Sequence, residues 1–207
     1  MAKILEHPLI EIKLTKMRDI NCDHSDFRKN LNEIASLMVY ETMRDYKGKA
    51  KSVKTPTGAT AKGLDFDKEI VIVPILRAGL GMVQGIEMLV PQARIGHIGV
   101  YRDEETFEVH KYFYKMPEVS KDSEIIIVDP MLATGGSAID AIQTLKEDGF
   151  TNIRMVALVG VPEGIKAVED KYPDVTIYLA SLDDKLDEKK YIQPGLGDAG
   201  DRLFGTK

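Results

Sequence analysis

The stretch Glu124 to Gly149, EIIIVDPMLATGGSAIDAIQTLKEDG, constrains the fold more than any other part of the chain. Ile125, Ile126, Ile127 and Val128 form an unbroken run of β-branched residues, the pattern of a central parallel strand covered on both faces. Asp129 is the single ionisable group at the carboxyl end of that run. Ala133, Thr134, Gly135, Gly136 and Ser137 carry so little bulk that their backbone N–H groups can close around an anion where the positive end of the next helix points. Ile139, Ile142 and Leu145, with Ala138 and Ala141 beside them, supply the buried face of that helix, and Gly149 its C-cap. Strand, small-residue loop and helix in immediate succession read as a phosphate cradle, the plain alternative being an ordinary strand-to-helix turn, and an acid at the strand end would meet ribose hydroxyls. The nucleotide P-loop is excluded, because Gly136 is followed by Ser137 and Ala138 where that motif needs lysine and then Ser or Thr.

The rest of the chain supplies the sheet around this strand. Phe27 to Tyr46 carries Leu31, Ile34, Leu37, Met38 and Met43 at helical spacing, and Lys49 to Phe66 alternates in short runs broken by Pro56, Gly58 and Gly63, which predicts a hairpin. Helix and hairpin are expected to open the core. Strands then follow at Ile70–Val73, Ile95–Tyr101, Glu108–Tyr114, Ile125–Val128, Ile153–Val161 and Val175–Leu179, with helices at Gly79–Leu89, after the Gly-Gly loop, and at Glu163–Lys171. The alternation predicts an α/β fold: a mostly parallel central sheet flanked by helices, with an N-terminal helix and hairpin addition and a C-terminal loop. A length of 207 residues suits one domain spanning 1–207.

Two further clusters carry chemistry. In VPILRAGLGM, Val73 to Met82, Arg77 sits where a strand gives way to a helix, and Gly79 and Gly81 allow close approach of backbone. A guanidinium there suits a doubly charged diphosphate through forked hydrogen bonds, the plain alternative being a surface arginine in a ligand-free loop. In YIQPGLGDAGDRLFGTK, Tyr191 to Lys207, the glycine density predicts a tightly wound loop whose exposed peptide groups read a small planar ligand. A ring with two carbonyls and an N–H on one edge fits fixed peptide groups, whereas an exocyclic amine presents the wrong donor and leaves a buried group unpaired.

The string DPMLATGGS resembles the phosphoribosyl diphosphate (PRPP) loop of type I phosphoribosyltransferases, in the form it takes in the uracil phosphoribosyltransferases, where Asp129 and Pro130 stand in place of two consecutive acids. The resemblance covers essentially the whole chain, from HPLIEIKLTKMRD to PGLGDAGDR, and Asn21 to Asp26 fits it less well. It implies transfer of the 5-phosphoribosyl group from PRPP to N1 of uracil, giving UMP and diphosphate, as in pyrimidine salvage. By the same resemblance PRPP is bound by Arg77, Arg102, Asp129, Pro130, Met131, Leu132, Ala133, Thr134, Gly135, Gly136, Ser137 and Asp198, and uracil by Ile192, Gly197, Asp198 and Ala199. Asp129, Arg102 and Asp198 are the residues it implies for catalysis. Arg102 opens YRDEET at the root of a flexible loop, where a second arginine would face the charge that accumulates on departing diphosphate; Asp103, Glu104 and Glu105 read as solvated turn residues. A strained peptide is expected between Arg77 and Ala78. Gln193 replaces a small apolar residue of the family pattern, and Gln84 replaces an acid on a helix face.

Mg²⁺ is expected as the cofactor, bridged by PRPP, with no metal held by the protein itself and Asp129 touching it through water. The resemblance also implies a homodimer or larger homo-oligomer and, from some members, GTP as an effector. Rival readings are an RNA-binding or PRPP-sensing regulator on the same fold, and an enzyme for cytosine or a purine. A net charge of −5 weighs against binding nucleic acid by bulk electrostatics. No run approaches the ~20 apolar residues of a membrane span and no signal peptide is visible, so a soluble cytoplasmic protein is expected. Cys22 reads as incidental, and His7, His24, His97 and His110, lacking ligand spacing, as structural or solvent-facing.

Overall fold

The computed structural model describes residues 2–102 and 109–206, of which 101, 102, 109 and 110 are described in backbone only. The elements in chain order are β1 (Lys3–Ile4), α1 (Pro8–Arg18), α2 (His24–Thr42), β2 (Lys49–Lys54), β3 (Thr60–Asp65), β4 (Ile70–Leu76), α3 (Leu80–Glu87), β5 (Arg94–Ile95), β6 (His97–Arg102), β7 (Val109–Lys115), β8 (Glu124–Leu132), α4 (Gly136–Glu147), β9 (Asn152–Gly160), α5 (Pro162–Lys171), β10 (Thr176–Leu182), β11 (Lys185–Leu186), β12 (Ile192–Gln193) and α6 (Ala199–Phe204). The main sheet runs β1-β10-β9-β8-β4-β6-β7, with β5 beside β4. Every pairing in it is parallel except β6 with β7.

The period of two divides the strands between two cores. Ile72 of β4, Ile126 and Val128 of β8 and Val156 of β9 pack with Ile10 and Leu14 of α1, Leu31 and Ile34 of α2 and Met82 of α3. Their neighbours Val71, Val73, Ile125, Ile127 and Met155 pack on the opposite face with Ala141, Ile142 and Leu145 of α4 and Val168 of α5. Both faces of β8 are thus covered, which is why its sequence is apolar without alternation.

Order in the sheet reverses between β8 and β4: the chain continues from β8 to β9 and β10 on one side, and from β4 to β6 and β7 on the other. α3 follows β4 on one face and α4 follows β8 on the other. Ligands bind outside the strand carboxyl ends at such a switch point.

Three differences from the sequence reading have physical causes. First, α1 has no counterpart in that reading, although His7 Nδ1 accepts from the Leu9 amide at 3.1 Å, Pro8 opens the helix, and Ile10, Leu14 and Met17 recur on one buried face. Second, the β2–β3 hairpin does not open the core. Among the described residues its strands pair only with each other, and β2 is exposed throughout, because KAKSVK and TAKGLD offer no continuous apolar face. Third, β8 runs on through Pro130 to Leu132, paired with β9 (Asp129 opposite Ala157, Met131 opposite Val159, Leu132 opposite Gly160). Among the described residues no helix is long and apolar enough to cross a membrane.

Candidate active site

Pairing of β8 with β4 ends at Val128 opposite Pro74, beyond which β4 continues against β6 and β8 against β9. Asp129 is the first residue past this divergence. Its Oδ1 accepts from the Met131 amide at 3.3 Å. Burial pushes its carboxyl up to about 7, with the Met131 amide a smaller opposing influence. Gly135 caps α4 at φ 82°, a left-handed conformation that glycine adopts without strain. Behind it, α5 brings Gly164 so close that a Cβ there would lie 2.3 Å from the Ala133 carbonyl oxygen. The loop is therefore held between its own strand and the start of α5.

Met131, Leu132, Ala133, Thr134, Gly135, Gly136, Ser137 and Ala138, joined by Lys190, line a cavity of about 170 Å³. A second cavity, of about 260 Å³, is bounded by Ala78, Asp129, Met131, Ala133, Lys190, Tyr191, Ile192, Gly197, Asp198, Ala199 and Gly200. Met131, Ala133 and Lys190 border both, so the loop after β8 and the glycine-rich C-terminal segment open into one cleft. All the loop residues singled out in the sequence from Met131 to Ser137 line the first cavity, and Asp129, Ile192, Gly197, Asp198 and Ala199 line the second. Pro130 borders neither and is buried in β8.

Arg77 follows β4 with its side chain 59% exposed, 3.8 Å from Asp201 and over the Phe204 ring at 5.7 Å. It borders neither cavity but stands next to Ala78, which lines the second. The non-proline cis peptide lies between Leu76 and Arg77, one bond before the expected position, and a second cis peptide joins Gln193 to Pro194. The Arg102 side chain and Asp103, Glu104 and Glu105 lie outside the described residues.

The C-terminal segment is partly helical rather than wholly loop. Asp198 caps α6, its Oδ1 accepting from the Asp201 amide at 2.8 Å. Two arginines fix this segment from beneath. Arg202 donates to the carbonyls of Leu196 (2.8 Å), Asp19 (2.7 Å), Cys22 (3.3 Å) and Met17. Arg18, at the end of α1, donates to the Gly195 carbonyl at 2.6 Å and to both oxygens of Asp183 at 2.5 and 2.7 Å. Asp183 in turn accepts from the Gly195 amide at 2.8 Å and from Ser181 Oγ at 3.0 Å. Burial would raise its carboxyl, but Arg18 and the Gly195 amide outweigh that and hold it below the usual range.

Sequence reasoning missed Lys190, Tyr191 (taken only as the start of a cluster) and Ala78 as cleft residues, whereas Gly200 falls in the glycine-rich loop it expected to read a ligand. The Lys189–Lys190 pair stands next to YIQPGLG but has the look of a solvated turn. Gln193, the departure from the family pattern, donates to Asp187 Oδ2 at 3.1 Å, and Gln84 is exposed on α3. Burial raises the Cys22 thiol and outweighs the opposing pull of the Arg202 guanidinium, so the thiol is not activated.

A cradle at the switch point of a parallel sheet, faced by a second glycine-rich segment across a shared cleft, fits the class of phosphoribosyltransferases. The solved adenine phosphoribosyl transferase of Trypanosoma brucei, in complex with AMP, pyrophosphate and ribose-5-phosphate, shares the fold at a TM-score of 0.60 and 12% identity over 91% of this chain and 87% of that one. The AQ2163 protein of Aquifex aeolicus matches at a TM-score of 0.94 and 38% identity, covering 100% of this chain and 99% of that chain. The family model for uracil phosphoribosyltransferase matches residues 4–206. Proteins of that name from Mycoplasma mobile and Metamycoplasma hominis are 68% and 64% identical over 207 residues, covering 100% of this chain and 100% and 99% of theirs. The chain belongs to the uracil phosphoribosyltransferase family, whose members transfer the phosphoribosyl group of PRPP to uracil, giving UMP.

Proposed function

We propose that this cleft joins PRPP to uracil with the following division of labour, in one domain spanning residues 1–207. The 5-phosphate sits in the loop from Met131 to Ser137, held by backbone amides and the start of α4. Asp129 accepts from the ribose hydroxyls, uracil lies against Ile192, Gly197, Asp198 and Ala199, and Arg77 with Arg102 faces the diphosphate. The observation that supports this reading is the sharing of Met131, Ala133 and Lys190 by the two cavities, which would let a phosphate-bound sugar lie next to a flat base. No covalent nucleophile is required. The protein orients both reactants and stabilises charge on the leaving diphosphate as an oxocarbenium-like centre forms.

No group of three or more His, Cys, Asp or Glu side chains that could hold a metal occurs among the described residues. Mg²⁺ would arrive on PRPP, with Asp129 the carboxylate placed in the cleft to meet its water shell. When bound, the ion would neutralise diphosphate charge. Family resemblance further supports a homo-oligomer, a cytoplasmic location and GTP as an effector.

The test is diphosphate release from PRPP and Mg²⁺ with a panel of bases. Release with uracil and not with cytosine, hypoxanthine or guanine is expected; release confined to a purine would overturn the base assignment. Asp198→Asn isolates the carboxylate, because asparagine caps a helix as well as aspartate does. Its melting temperature is expected to stay put while turnover drops about tenfold, roughly 1.4 kcal/mol. Equal turnover in both proteins would remove Asp198 from the reaction.

A further inference from the structure

Of the nine described residues lining the cavity around the loop after β8, eight are uncharged and the ninth is Lys190. A phosphate monoester brings close to two negative charges, and this chain already carries a net −5. Backbone amides and hydroxyls supply hydrogen bonds, but only a cation supplies opposite charge. Lys190 also lines the second cavity, so its residue stands at the junction of the two halves of the cleft. Its side chain has no hydrogen-bond or ion-pair partner among the described residues.

A second, independent observation marks the same residue. Lys190 is the one non-glycine with positive φ, 66°, among the described residues. A left-handed backbone is unfavourable for a side chain with a Cβ and persists where its surroundings over-determine it. They do so here. The Lys190 amide donates to the Asp187 carbonyl at 3.0 Å, and the Asp187 amide to the Tyr191 carbonyl at 2.8 Å. Asp187 Oδ1 accepts from the amides of Lys189 and Tyr191, both at 2.9 Å, and Oδ2 from Gln193. The turn between β11 and β12 thereby fixes a lysine at a position where glycine would be unstrained.

We propose that Lys190 is the counter-charge for the 5-phosphate of PRPP and of the UMP product, a binding residue supplied to the phosphate loop by the base-binding segment. The proposal rests on the assignment of that loop to the 5-phosphate. Its consequence is that the two halves of the cleft are coupled: the turn that leads into the uracil segment is engaged when phosphate binds.

The experiment compares wild type with Lys190→Gly and Lys190→Arg. Glycine removes the charge and relieves the backbone, so that variant is expected to melt at or above the wild-type temperature. Its KM for PRPP and its dissociation constant for UMP are expected to rise about tenfold, with affinity for uridine, which lacks the phosphate, unchanged. Lys190→Arg restores UMP binding to within a few-fold of wild type. UMP bound equally by wild type and Lys190→Gly sinks the lysine proposal alone. Wild type that makes no UMP, or that binds UMP no better than uridine, sinks the loop assignment and the proposal with it. A Lys190→Gly variant weakened equally toward uridine and UMP also overturns it, since charge would then not be the cause.

Discussion

An Asp129→Asn variant is expected to lose ten- to a hundredfold in kcat/KM for PRPP and yet to be more stable than wild type above pH 7. The carboxyl sits where β4 and β8 part company, and burial has pushed it up to about 7 from an ordinary 3.8. Above pH 7 the folded protein therefore carries a charge it would rather shed. As pH falls through 7 toward 4 the native state takes up a proton that the unfolded chain does not, so this group's contribution to stability improves over that window and is flat below it. The charged form costs on the order of 2–4 kcal/mol at pH 8. Asparagine is neutral throughout and lacks that slope. Urea titrations of both proteins at pH 8 and pH 5 give the comparison, with the advantage of the Asp129→Asn variant expected at pH 8 and gone at pH 5. An equal difference at both values would mean that Asp129 is ionised in the folded protein as readily as in the unfolded chain. In wild type, kcat/KM should fall about tenfold per pH unit below 7, because the ionised carboxylate is the form that would accept from ribose hydroxyls in the proposed arrangement.

The second large effect is structural in origin and is read at the base. Asp183→Ala is expected to cost about 3–5 kcal/mol, lowering the melting temperature by roughly 10 °C for a chain of this size. It strips the partner from a half-buried Arg18 and frees the Gly195 amide. Gly195 has no substitute in holding the segment, since φ is 62° and a Cβ would lie 2.0 Å from the Ile192 carbonyl oxygen. KM for uracil should rise severalfold in any Asp183→Ala protein that folds, while binding of PRPP changes little. A variant that melts with wild type would show the Arg18–Asp183 pair to be dispensable.

What the sequence disclosed follows from where its signals are local. The run Ile125–Val128, the small loop and the Ile139–Ile142–Leu145 stripe lie in one stretch of chain, so the strand, the helix and their order can be read directly. Gly149 as the residue closing α4 is likewise a local matter, and it has φ 94°. The continuation of β8 through Pro130 is hidden because proline argues against a strand interior, and only the pairing of Asp129, Met131 and Leu132 with β9 shows it. Arg18, Asp183 and Lys190 are not legible as parts of the site. Each looks like an ordinary surface charge until the sheet brings α1 under the C-terminal segment. The six residues of α6 are too few for a periodic pattern, so the sequence reads there as loop.

Arg18 and Gly195, whose hydrogen bond steadies the base segment, are 177 positions apart. As the polypeptide leaves the ribosome, α1 emerges early with its guanidinium still lacking a mate. The loop from Met131 to Ser137 needs only α5 behind it, since Gly164 is the residue that backs Ala133. The loop after β8 and the segment after β12 are therefore completed by contacts of very different reach, one between neighbouring elements and the other between α1 and residues far along the chain.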